Sequence, residues 1–179
     1  FAQVACAAAL ALIPWGAQAI TFGQLDDFQD GSTQGWGSGA ANAAPPVNVG
    51  SGGPAGAGDG YLLVTATGVR GPGGKLVTLS GPAWTGNYLA AGVSGIVMDV
   101  ANFGSTDLSL RLYLLGEAGA SAVSLQPFVL PAGSGWAHAF FDLSPAALSG
   151  DAADALANVT SLRLFHGPDA FYPGTDIAS

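Results

Sequence analysis

One stretch decides the fold, Leu108-Ser109-Leu110-Arg111-Leu112-Tyr113-Leu114, in which every second residue is leucine. Successive side chains of a β-strand point to opposite sides of the sheet, so this alternation places the four leucines on one face and predicts a half-buried strand. Ile96, Met98 and Val100 alternate in the same way shortly before it. Because Asn102-Phe103-Gly104-Ser105 supplies turn residues between the two stretches, we expect them to form a β-hairpin.

Working outward, other short apolar stretches recur between turns rich in glycine and proline. They are Leu25 to Phe28, Tyr61 to Thr67, Lys75 to Ser80, Val123 to Leu130, Trp136 to Leu143 and Thr160 to Phe165. About eight short strands with such turns are typical of sandwiches and jelly rolls. The sequence therefore predicts an all-β fold, a β-sandwich of jelly-roll type.

Short helices and one long loop are expected to interrupt these strands. Ser144 before Pro145 has the residue types that begin a helix, and Asp151 to Ala157 is a second short helical stretch that Asp151 can cap. Gln34 to Gly60 is dense in small residues, which bury too little apolar area to order a regular element. It predicts a long loop or a loosely held edge, in which Val47 and Val49 form a brief strand.

The first nineteen residues have the pattern of a secretion signal. Ala2 to Ile13 is an uncharged apolar run, and Ala17-Gln18-Ala19 matches the small-x-small site of signal peptidase. We expect residues 1–19 to be an N-terminally truncated signal peptide, with a secreted or cell-surface protein beginning at Ile20. Pro14 breaks the run short of the roughly 20 apolar residues that a bilayer requires, so no membrane span is expected in the mature chain. The alternative is a buried helix that opens a globular domain.

Composition narrows the class of partner. Residues 20–179 are enough for one domain, and the only cysteine, Cys6, lies in the predicted signal, so this domain contains no disulfide. The net charge of −8 argues against nucleic acid or an anionic membrane as a partner. Charged residues make up 9% of the chain, against about 25% in an average domain, which leaves few groups for acid–base chemistry.

Two resemblances follow from longer motifs. Residues 28–36, Phe28-Gln29-Asp30-Gly31-Ser32-Thr33-Gln34-Gly35-Trp36, place an acidic-Gly-Ser turn before a tryptophan. This run resembles the opening of jelly-roll carbohydrate-binding modules. A broader set is similar to uncharacterised secreted bacterial proteins that carry a C-terminal PEP-CTERM sorting tag: Gly86-Asn87-Tyr88, Ile96 to Phe103, Leu108 to Leu114, Trp136, Phe141-Asp142-Leu143-Ser144 and Val159 to His166. The resemblance implies that a last strand and the tag follow Ser179, so that the single domain 20–179 lacks its last strand.

Aromatic residues indicate a carbohydrate ligand. Sugar rings present apolar C–H faces that pack on exposed aromatic rings, while a few polar groups set their orientation. The turn-rich stretches predict a ligand-binding set of Trp84, Asn87, Tyr88, Phe171 and Tyr172. Strand positions instead predict core roles for Trp36, Trp136, Phe140 and Phe165. For each ring alone, packing is the alternative explanation, and only a cluster in the folded protein favours binding.

Calcium is the metal that the acidic residues suggest. It takes six to eight oxygen ligands, and carboxylates of an acidic turn together with backbone carbonyls supply such oxygens. The candidate ligands are Asp26, Asp27, Asp30 and Asp142. The alternative is that Asp30 and Ser32 form a side-chain-capped turn while Asp27 faces water. Zinc is disfavoured because His138 and His166 have no second ligand at the usual spacing.

The residues expected of a hydrolase are scarce. Glu117 is the only glutamate, and Gly133-Ser134-Gly135 lacks the pattern of a nucleophile elbow. The leading prediction is therefore a non-catalytic extracellular module that binds carbohydrate or matrix polysaccharide. A structural surface or biofilm-matrix protein without a specific ligand is the second hypothesis, and a secreted hydrolase is the third.

Overall fold

The computed structural model describes residues 19–39, 41–69 and 74–172. Within these ranges the chain is built almost entirely of antiparallel strands. The strands are β1 (Val47–Val49), β2 (Tyr61–Leu63), β3 (Val77–Leu79), β4 (Gly95–Val100), β5 (Leu108–Gly116), β6 (Ser121–Ser124), β7 (Phe128–Leu130), β8 (Ala137–Asp142), β9 (Leu148–Gly150) and β10 (Val159–His166). One α-helix, α1 (Ala152–Ala157), and three short 3-10 turns at Pro82–Trp84, Glu117–Gly119 and Pro145–Ala147 complete the described elements.

The alternating stretch forms the central strand of the main sheet. The strand order is β3-β10-β5-β6-β9, and β7 also pairs with β5. Leu110, Leu112 and Leu114 of β5 are at most 4% exposed, which confirms the predicted apolar face. The longest pairing in this sheet joins β5 to β10 and aligns Leu112 with Leu164. β5 pairs with three strands, β10, β6 and β7, which makes it the best-supported strand of the described residues.

The predicted hairpin between Ile96–Val100 and Leu108–Leu114 is wrong. β4 pairs instead with β8, in a separate two-stranded sheet that aligns Ile96 with Phe141. The chain between β4 and β5 is held by Asn102, whose buried amide donates to the carbonyls of Thr106, Leu130 and Pro131 and accepts from the backbone N–H of Gly104. These bonds hold the segment that crosses from the β4–β8 sheet to the main sheet.

The core lies between these sheets. It combines leucines of the main sheet with Ile96, Ala139 and Phe141 of the β4–β8 sheet, and α1 adds Leu156. Alternation along β8 follows from this packing, since Ala139 and Phe141 are buried while His138 and Phe140 are exposed. The protein is thus an all-β sandwich. The jelly-roll type stays a prediction.

Several local predictions hold and others fail for visible reasons. β1 and α1 lie where the sequence places them, although the Asp151 side chain makes no capping bond. Val123 to Leu130, predicted as one strand, divides into β6 and β7. Leu25 to Phe28 forms no strand, because Phe28 has a φ of 58°, outside the extended region. Ser144-Pro145 opens only a 3-10 turn.

The predicted signal peptide lies almost entirely outside the described residues. Its last residue, Ala19, is exposed, whereas Ile20 is buried and its N–H donates to the carbonyl of Thr85 at 2.8 Å. Where the structure describes the chain, no helix has the length and apolar character that crossing a bilayer requires.

Candidate functional site

The predicted platform around Trp84 does not form on the surface. Tyr88 is fully buried, its hydroxyl donates to the Trp84 carbonyl at 2.8 Å, and burial raises the pKa of its phenol. Its backbone bonds to Leu156 and Val93 draw the ring inward despite the turn-rich sequence. Asn87 is exposed, and its side-chain oxygen accepts the N–H of Ala90 in a turn.

Trp84 is half-buried and held by a carboxylate. Its Nε1–H donates to Oδ2 of Asp26 at 2.5 Å, and its ring packs edge-to-face on the buried Trp36 with centroids 6.2 Å apart. The same oxygen of Asp26 accepts Nε1–H of Trp36 at 2.6 Å. Asp26 therefore orients two indoles, and Trp84 belongs to the packing of the domain.

The other acidic residues act within turns. Asp30 Oδ1 accepts both the N–H and the hydroxyl of Ser32, and these bonds lower the pKa of its carboxyl, the backbone bond most. Asp27 Oδ1 accepts from the N–H of Gln29 and the amide of Gln34. The capped turn proposed as the alternative for Asp30 is confirmed.

Asp142 lies at the end of β8, where its Oδ1 accepts the N–H of Ser144. Among residues 19–39, 41–69 and 74–172, no three His, Cys, Asp or Glu side chains come together as they would around a metal. Calcium binding stays a prediction, and melting curves in millimolar calcium and in excess chelator test it.

Sequence reasoning missed an aromatic group that we call the Trp136 cluster: Tyr61, Phe103 and Trp136. The ring centroids lie 5.9 Å apart for Tyr61 and Phe103, 5.3 Å for Tyr61 and Trp136, and 6.1 Å for Phe103 and Trp136. The three rings meet at steep angles, as aromatic pairs prefer. Phe103 is 61% exposed, and the other two are partly exposed.

Three different segments bring these rings together. Tyr61 begins β2, Phe103 follows β4, and Trp136 precedes β8. The prediction that Trp136 is a core residue is wrong, because Trp136 lies just before β8 and its side chain is partly exposed. Since the three positions are far apart in sequence, the only available signal was that Phe103 and Trp136 both adjoin glycine-containing turns.

The Trp136 cluster is fixed in place by the glycine-rich loop. Nε1–H of Trp136 donates to the carbonyl of Gly52 at 3.0 Å. Gly52 has a φ of +95°, which side-chain-bearing residues rarely adopt, and a Cβ there would touch the Tyr61 ring. The loop backbone thus lies against the rings and orients the indole.

Polar side chains tie this loop to the acidic turn at residues 27–32. Asp59, two positions before Tyr61, accepts the side-chain amide of Gln29 at 2.7 Å and the N–H of Ala55 at 2.8 Å. Asn48 on β1 donates to the carbonyls of Phe28 and Ser32. These bonds join the acidic turn to the β1–β2 pair on which Tyr61 stands.

A second aromatic group, Tyr113, Phe165 and Tyr172, contains one residue of the predicted ligand-binding set, Tyr172. Tyr172 stacks on Tyr113 with centroids 4.6 Å apart and meets Phe165 edge-on at 5.1 Å. Phe171 is 65% exposed. The Arg163 guanidinium carbon lies 4.9 Å from the Tyr172 centroid and 5.3 Å from that of Tyr113.

The remaining candidate groups offer less chemistry. Glu117 lies exposed in its 3-10 turn, and His138 forms an exposed pair with Asp99 at 3.0 Å. Nδ1 of His166 accepts the N–H of Ser109 and is therefore committed to the sheet. A shallow hollow of about 380 Å³ is lined by non-titratable residues: Ala19, Thr85, Gly86, Asn158, Val159 and Thr160.

No protein-family model, no curated protein sequence and no solved structure matches this chain.

Proposed function

We propose that this protein is a non-catalytic extracellular module that binds carbohydrate or matrix polysaccharide. The observation that supports this function best is the Trp136 cluster, a partly exposed group of three aromatic rings beside the backbone of a glycine-rich loop. The resemblance of Phe28 to Trp36 to the opening of carbohydrate-binding modules points to the same class.

Aromatic rings suit sugars because the C–H face of a pyranose is apolar while its rim is polar. An exposed ring pairs with that face and excludes water from it, and polar groups beside the ring exchange hydrogen bonds with the hydroxyls. In the Trp136 cluster, the rings supply the apolar contact, and the loop backbone at Gly52, which lies against Trp136 and Tyr61, supplies polar groups beside it.

Rigidity increases the affinity of such a site. The bond from Trp136 to Gly52 and the mutual packing of the three rings hold them before any ligand arrives. A site that is already ordered loses little conformational entropy on binding. The same groups ordered only by the ligand would bind it more weakly.

A glycan-array screen of the full chain, followed by titration calorimetry on the best ligand, tests the proposal. The matched variants are Phe103→Ala and Phe140→Ala, because these side chains are 61% and 60% exposed and only Phe103 belongs to the Trp136 cluster. We expect Phe103→Ala to weaken binding by about 1 kcal/mol or more, and Phe140→Ala to leave affinity unchanged.

If Phe103→Ala and Phe140→Ala bind the ligand with equal affinity, the Trp136 cluster is not part of the binding site. Failure of the wild-type protein to bind any glycan would favour the structural surface role instead. Thermal melting of both variants controls for a loss of fold.

A further inference from the structure

Two arginines lie together on the outer face of the main sheet, opposite the leucine core. β5 and β10 align Arg111 with Phe165 and Tyr113 with Arg163, so the two arginines are diagonal neighbours in the sheet. The whole sequence contains only four basic residues. Two of the four basic residues of this acidic protein therefore lie on one face of the main sheet.

The guanidinium of Arg111 has a structural role. The residue is 4% exposed and donates to four backbone carbonyls, those of Ser124, Leu125, Gly167 and Pro168, at 2.6 to 2.9 Å. Burial lowers the pKa of its guanidinium, and the nearby Asp169 opposes this effect. These bonds tie the chain after β10 to the sheet, and this placement brings Tyr172 over Tyr113.

Arg163 is different because its terminal nitrogens are unused. Its Nε makes one long contact with Ser161 Oγ at 3.5 Å, and its guanidinium lies beside Tyr113 and Tyr172. In the described ranges no carboxylate forms an ion pair with it, and neither Nη atom has a hydrogen-bond partner. The side chain is partly exposed, so these donors are accessible to a ligand.

We propose that Arg163, with Tyr113 and Tyr172, forms a subsite for the anionic group of an acidic sugar, a uronate carboxylate or a sulfate ester. The planar guanidinium presents paired N–H donors that match two oxygens of such an anion. The tyrosines restrict the guanidinium, so that less side-chain entropy is lost on binding. This inference rests on the proposed carbohydrate-binding function and narrows its ligand class.

The net charge of −8 does not prevent such binding. At physiological ionic strength, exposed charges more than about 8 Å apart are largely screened from one another. Arg163 is then the positive charge that a bound anion meets first, and its diagonal neighbour in the sheet is a second arginine, Arg111.

The test is titration calorimetry of the full chain with three oligosaccharides of equal length: a neutral glucan, an oligogalacturonate and a sulfated galactan. Matched variants are Arg163→Gln, which removes the charge, and Arg163→Lys, which keeps the charge but not the paired donors. We expect the wild type to bind at least one acidic oligosaccharide, and Arg163→Gln to weaken this binding at least about tenfold. The affinity of Arg163→Lys for the acidic oligosaccharide should lie between those of the wild type and Arg163→Gln. The affinity for the neutral glucan should be the same in all three proteins.

The outcomes separate the two proposals. Preference for the oligogalacturonate identifies a carboxylate ligand, and preference for the galactan identifies a sulfate ester. Neutral binding that depends on Phe103, with acidic binding absent or unaffected by Arg163→Gln, overturns the subsite and leaves the proposed function standing. Absence of binding to all three sugars overturns the subsite, and the glycan array then decides the wider function. If the melting temperature of Arg163→Gln is far below that of the wild type, the affinity of Arg163→Lys is compared with that of the wild type instead.

Discussion

Trp84 and Asp26 are joined by a 2.5 Å hydrogen bond between an indole N–H and a carboxylate oxygen, across 58 positions of sequence. Because Trp36 donates to the same oxygen at 2.6 Å, one carboxylate holds two indoles of different segments. Hydrogen bonds to charged groups are stronger than those between neutral groups, and these two are partly shielded from water. Asp26 therefore acts as a structural link between the start of the domain and the turn at Pro82–Trp84.

Replacing this carboxylate should destabilise the whole domain. We expect Asp26→Ala to lower the free energy of unfolding by about 3 kcal/mol, because it leaves two indole N–H groups without their acceptor. Asp154→Ala, at an exposed helical position, serves as the control and should change stability by less than about 0.5 kcal/mol. Urea unfolding followed by circular dichroism measures both, and equal midpoints for the two variants would refute the link.

Tyr88 should make stability depend on pH in the alkaline range. The unfolded phenol loses its proton near pH 10, whereas burial raises the folded pKa above that value. The stabilisation is fully present below pH 10 and is lost as the pH rises through the folded pKa. We expect the free energy of unfolding to fall above pH 10, with this group contributing up to about 1.4 kcal/mol per pH unit.

The variant Tyr88→Phe isolates this contribution. It should cost about 1 kcal/mol at neutral pH through loss of the bond to the Trp84 carbonyl, and it should flatten the alkaline decline. Chemical unfolding between pH 8 and 11 gives both quantities. An identical decline in the wild type and in Tyr88→Phe would show that other groups cause it.

Arg111 and Arg163 provide a matched pair for separating structure from binding. Arg111→Lys should lower the free energy of unfolding by about 2 kcal/mol, since one ammonium cannot replace a fork that serves four carbonyls. Arg163→Lys, on the same face but partly exposed, should cost about 1 kcal/mol or less.

Hydrogen exchange supplies a second measurement for Arg111→Lys. The N–H of Gly167, bonded to the Ser109 carbonyl, should exchange faster when the chain after β10 is no longer held to the sheet. Comparable stability losses in the two lysine variants, with unchanged exchange at Gly167, would contradict the structural role of Arg111.

Local patterns in the sequence determined several of the strands and one of the turns. The leucine alternation of residues 108–114 forms β5, because period-two burial is a property of the strand itself and needs no knowledge of its partner. Asp30 and Ser32 cap their own turn for the same reason, since their bonds span two positions. Such features depend only on residues that are close in sequence, so they can be predicted without knowledge of the tertiary structure.

Tertiary structure decided everything that depends on partners distant in sequence. β4 pairs with β8 and not with β5, because burial of Ile96 and Phe141 against the leucine face selects the pairing. Phe28 leaves the extended region where its N–H donates to the Gln34 side chain. The exposure of Trp136 and the burial of Tyr88 also follow from packing among remote segments, which composition and spacing do not encode.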